Sequence, residues 1–106
     1  MDAYVKSSLL QWKEEMMVQK QELDEEYERL KADLQLYSYK FGITKQVIQS
    51  TSNDKIVKNI KTTYQIPFEE KFNELKQSLK DIEEKRRVYQ MFVEKIEKAS
   101  EMEEKV

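Results

Sequence analysis

The stretch YKFGITKQ, residues 39–46, holds the only glycine of a 106-residue chain. Its reading decides the fold. Upstream of it, Val5, Leu9, Trp12, Met16, Leu23, Leu30, Leu34, Tyr37 and Phe41 recur at spacings of three, four and seven. That is the apolar stripe of an amphipathic helix. Tyr27 falls beside Leu23 and Leu30, and Gln19 and Lys20 leave a polar gap. Asp2 is placed to cap the start, because its carboxylate can accept the free backbone N–H groups of a first turn.

Gly42 admits two readings. In the first it caps the helix, with Ile43 supplying the apolar contact of a Schellman motif. The middle of the chain then folds as a separate short helix. The acidic run Glu22, Asp24, Glu25, Glu26 then comes beside the basic run Lys85, Arg86, Arg87. In the second reading the helix runs on to about Ser50, since Tyr37, Phe41, Thr44 and Ile48 keep the spacing. QSTSND, residues 49–54, then turns the chain, because short polar side chains compete for backbone hydrogen bonds. A turn centred on residue 52 sets Met1 level with residue 103 and Gly42 opposite Thr62. The equal arms favour this second reading.

Pro67 then lies close to the level of Gly42. A proline inside a helix removes a hydrogen bond and pushes the residue before it, Ile66, away from helical angles. Gly42 and Pro67 therefore read as the two sides of one hinge. Ser52 or Asn53 is the expected cap of the helix after the turn.

Residues 68–106 repeat the pattern of the first arm. Phe68, Phe72, Leu75, Leu79 and Ile82 form a four-three run, and Tyr89, Val93 and Ile96 extend it. Arg86 occupies the stripe position between Ile82 and Tyr89, where a guanidinium needs either a carboxylate or a path to water. Val88, Phe92 and Ala99 broaden the stripe.

The expected fold class is all-α: a long antiparallel helical hairpin, coiled-coil-like, with two long helices kinked or broken near Gly42 and Pro67 and scope for a short third helix at 54–64. It is a single helical domain over 1–106. Arm 1 covers about 3–41, a basic tip about 42–66, and arm 2 about 67–104.

Composition agrees. Charged residues make up 38%, with one Gly and one Pro, which suits long helices and not a sheet. The net charge of −2 is unevenly spread: 42–67 carries four Lys against Asp54, between acidic arms. There is no Cys and no His, so disulfides, His-dependent triads and Cys/His zinc sites are excluded. A lone glycine excludes phosphate-binding Gly-rich loops. The carboxylate pairs, such as Glu25–Glu26 and Glu83–Glu84, sit among Lys and Arg on helix surfaces. No catalytic residue, cofactor site or metal site is expected, and no enzyme. No apolar run reaches membrane-spanning or signal-peptide length, so a soluble intracellular protein is expected.

Eleven aromatic residues and five Met exceed what a two-helix seam can bury. The expectation is therefore a helical protein–protein interaction or assembly module, a homo-oligomer (a dimer first) or a coiled-coil complex with another helical chain. Its candidate interface residues are Trp12, Met16, Leu23, Tyr27, Leu30, Leu79, Ile82, Arg86, Tyr89 and Phe92. Two other functions remain open at this point. One is a small export or assembly chaperone holding a client helix. The other is a nucleic-acid-associated factor acting through the basic tip, Lys45, Lys55, Lys58 and Lys61; four Lys without Arg make nucleic acid the weaker partner.

Overall fold

The computed structural model describes residues 1–102. The end of arm 2, expected to reach 104, lies outside the described residues. Helix α1 spans Ala3–Gln49, α2 spans Asp54–Ile60, and α3 spans Ile66–Met102, with a π-helical turn, Lys61–Gln65, between α2 and α3. No strand occurs among the described residues. The fold is the all-α helical hairpin of the second reading.

α1 is 47 residues long and passes through Gly42 without interruption. The glycine has no positive φ, so it does not form a left-handed cap. Asp2 Oδ1 accepts from the amide of Tyr4 at 2.7 Å and starts the helix as expected. At the other end the hydroxyl of Thr51 donates to the carbonyl of Val47 at 2.6 Å. Asn53 then accepts from the amides of Lys55 and Ile56 and caps α2. The short polar residues thus do what their competing hydrogen bonds suggest.

The proline is accommodated differently from the expectation. Ile66 keeps helical angles, φ −63° and ψ −49°, and is not driven to extended backbone. Its N–H instead bonds five residues back, to the carbonyl of Lys61. An α-helix would crowd the Pro67 ring against the carbonyl four residues earlier. Widening the preceding turn relieves that clash without breaking the helix. Thr62 and Thr63 favour the same place, for their hydroxyls donate back to Lys58 O and Asn59 Oδ1. The expected third helix at 54–64 is thus α2 followed by the π turn, continuous with α3.

The chain divides into two units, Met1–Tyr27 with Asp81–Val106, and Glu28–Lys80. The second, the tip unit, holds the turn, α2, the π turn and the helix segments around them. Leu75 is buried in it, and Thr44 is 8% exposed, its hydroxyl donating to Lys40 O four residues back. Tyr37 and Phe68 meet edge-on, centroids 6.0 Å apart.

In the first, the terminal unit, the start of α1 runs antiparallel to the end of α3. Ile82, Val93 and Ile96 are its buried apolar residues, each stabilising by about 1.5–3 kcal/mol. Its α3 stripe positions, Ile82, Arg86, Tyr89, Val93 and Ile96, are all buried or half-buried. On α1 the seam departs from the expectation. Lys13 and Lys20 are half-buried, whereas Val5 and Trp12 are exposed. The seam keeps the strict four-three phase of Leu9, Met16, Leu23 and Tyr27, and that phase selects Lys13 over Trp12 and Lys20 over Gln19. Lysine can occupy such a position because its stem packs while its ammonium reaches outward.

Candidate protein-binding surface

The seam of the terminal unit carries a polar node. Arg86 Nε lies 2.6 Å from Asp24 Oδ1, and the guanidinium stacks over the Tyr27 ring, 4.1 Å from its centroid. The Tyr27 hydroxyl donates to Glu83 Oε1 at 3.1 Å. Arg86 therefore has the carboxylate its position calls for, and its guanidinium lies on an aromatic face. Further along, Lys13 Nζ lies 2.7 Å from Glu97 Oε1. That hydrogen bond, foremost, holds the Lys13 ammonium above its ordinary range; desolvation opposes it, and the charge of Glu97 adds to it.

The Asp24–Arg86 pair joins the acidic and basic runs that the first reading had brought together. It does so in a fold with the topology of the second. The two are compatible because each side chain leans toward the N-terminus of its own helix. In an antiparallel pair both leans carry the contact past the residue that lies level. Asp24 thus reaches further along α3 than backbone matching suggests.

The candidate interface residues separate into two sets. In the terminal unit Ile82 is buried, and Met16, Leu23, Tyr27, Arg86 and Tyr89 are half-buried along its seam; in the tip unit Leu30 and Leu79 are half-buried. Trp12 and Phe92 are exposed, at 42% and 39%, and meet edge-on beside the seam with centroids 5.8 Å apart. Elsewhere on the terminal unit Leu10, Met17, Val18 and Met91 also face solvent.

In the tip unit Ile43, Val47, Ile56, Tyr64 and Ile66 are exposed, along with Leu36 and Tyr39. Sequence reasoning did not assign these residues to an interface. For Leu36, Ile43 and Val47 the available signal was their position one residue before the stripe members Tyr37, Thr44 and Ile48, which a hairpin with a single seam cannot cover. Ile43, Thr44, Val47, Ile60, Tyr64 and Phe68 line a groove of about 330 Å³.

Lys45, Lys55, Lys58 and Lys61 are all exposed. Lys45 sits 5.5 Å from the centroid of Phe41. Among the described residues none of these four has a carboxylate within ion-pair distance. Of the two hinge candidates, Gly42 is half-buried within α1, and Pro67 is exposed at the start of α3.

Among the described residues no three carboxylates gather as cation ligands, and no helix is long and apolar enough to cross a membrane. Comparison of the chain with protein-family models, curated proteins and solved structures returns no match.

Proposed function

We propose that the chain is a non-enzymatic helical assembly module that associates with a second copy or with another helical protein. The observation that carries this reading is a mismatch in burial. Sixteen large apolar side chains are exposed, four apolar residues are buried, and no side chain is fully buried among the described residues. Scattered exposed apolar residues are ordinary. Here some come together, Trp12 with Phe92 in one unit and Ile43, Val47 and Tyr64 along one groove in the other, and contiguous apolar surface marks a place of interaction.

Sedimentation velocity over a wide concentration range tests it. The expected result is a dimer, or a stoichiometric complex with a co-purifying chain. A monomer that melts cooperatively, at a temperature independent of concentration and with no bound chain, overturns the reading.

A further inference from the structure

The groove of the tip unit differs chemically from the rest of the surface. Its walls are Ile43, Thr44 and Val47 of α1, Ile60 of α2, Tyr64 of the π turn, and Phe68 of α3. No carboxylate lines it. Lys40 borders it, with Nζ 5.6 Å from the Phe68 ring centroid. Lys61 is exposed and follows the wall residue Ile60 in the chain, three residues before Tyr64. Lys55 and Lys58 are exposed on α2, which supplies Ile60. Between Leu36 and Phe68 the sequence carries five Lys and a single carboxylate, Asp54. The π turn is itself part of the wall, since Tyr64 lies within it. Such turns recur where a helix surface is adapted to a function.

We propose that this groove binds an acidic amphipathic helix of a partner protein, with the partner's apolar stripe on Ile43, Val47 and Tyr64 and its flanking carboxylates facing Lys40 and Lys61. The proposal rests on the assembly reading and gives the partner a chemistry. An apolar groove alone would take any amphipathic helix. The lysine border and the lack of carboxylates select the sign of its flanks, as charge complementarity does at other interfaces. Lysine without arginine offers point charges and no planar fork, and an apolar floor suits a helix stripe better than a phosphate backbone.

The test uses the full chain and three labelled helical peptides of about 18 residues, five turns. One has an apolar stripe flanked by Glu, one the same stripe flanked by Lys, and one Glu flanks with the stripe replaced by Ser. Fluorescence anisotropy is read at two salt concentrations, with a single-stranded oligonucleotide as a fourth probe. The Glu-flanked stripe is expected to bind at least about tenfold more tightly than the other two peptides, and to weaken with added salt. Val47→Glu, at an exposed helix position, should abolish that binding while circular dichroism stays unchanged. The double variant Lys40→Glu, Lys61→Glu should invert the preference toward the Lys-flanked peptide, and Lys55→Glu with Lys58→Glu should weaken it without touching the groove walls. Equal binding of both stripe peptides overturns the stated partner chemistry but leaves the assembly reading standing. So does binding of no peptide by a chain that self-associates. Tighter binding of the oligonucleotide than of the Glu-flanked peptide overturns the proposal in favour of nucleic acid. A chain that stays monomeric and binds no peptide overturns both readings.

Discussion

Arg86 and Asp24 lie 62 residues apart in the chain and meet with Nε 2.6 Å from Oδ1. The pair sits at the seam of the terminal unit, with side chains 31% and 38% exposed. Water screens it at that exposure, so its stabilisation is about 0–1 kcal/mol. It also bears on register, because a one-turn slip toward the start of α1 would set the guanidinium against Lys20, a like charge. Asp24→Ala should cost no more than about 1 kcal/mol in urea denaturation. Arg86→Leu should be neutral or stabilising, while broadening the distances between spin labels placed on α1 and α3. Unchanged label distances in Arg86→Leu would show that the apolar layers set the register unaided.

Gly42 is helical, and a Cβ added there meets nothing within 4 Å. Gly42→Ala should therefore stabilise by about 1 kcal/mol, the difference in helix propensity. Differential scanning calorimetry measures it. A loss of stability would mean that the glycine is needed for a bend or a partner's close approach.

Pro67 and the π turn before it should be coupled. Pro67→Ala restores a backbone donor and removes the ring that crowds the turn. Residues 61–65 should then relax toward α-helical carbon chemical shifts, with little change elsewhere. Retention of the wide turn would assign it to Thr62 and Thr63, whose hydroxyls bond backward.

Ile82 is 6% exposed, one of the few buried apolar side chains among the described residues. Ile82→Ala should cost about 2–5 kcal/mol, a large share of what a two-helix core supplies. Met91→Ala, at an exposed position, should leave the stability of the isolated chain within about 0.5 kcal/mol. If Met91→Ala also destabilises in proportion to protein concentration, Met91 is covered in an oligomer.

The pH dependence has a defined sign at two places. Its hydrogen bond to Arg87, and then the charge of that residue, hold the Glu84 carboxyl below its ordinary 4.5. A depressed carboxyl stabilises above its unfolded value and loses that contribution as pH falls through the folded one. Lys13 is raised above 10.5 by Glu97. Its contribution is present below 10.5 and is lost as pH rises through the higher folded value. NMR titration should find Glu84 below 4.5, and Arg87→Gln should return it upward. A Glu84 titration at or above 4.5 in the wild-type chain would remove the ion pair from solution.

The sequence by itself determined the all-α class, the turn signal at residues 49–54 and the cap at Asp2, and it narrowed the second cap to Ser52 or Asn53. Apolar spacing and short polar side chains act locally, over a few turns, so they are readable without knowing what packs on them. The α3 stripe was legible for the same reason: its run from Phe68 to Ile96 is interrupted only by Arg86. Tertiary structure decided the rest. The phase of the seam on α1 falls on Lys13 and Lys20, because packing against α3 overrides the hydrophobicity of Trp12. The pairing of Asp24 with Arg86 depends on the lean of side chains across an antiparallel pair, a geometry no single helix contains. The π turn before Pro67 is a compromise between a local clash and the continuity of a helix held on both sides. The groove at Ile43, Val47 and Tyr64 exists only because one seam cannot cover two apolar faces, and that limit is set by the packing of two cylinders along one line.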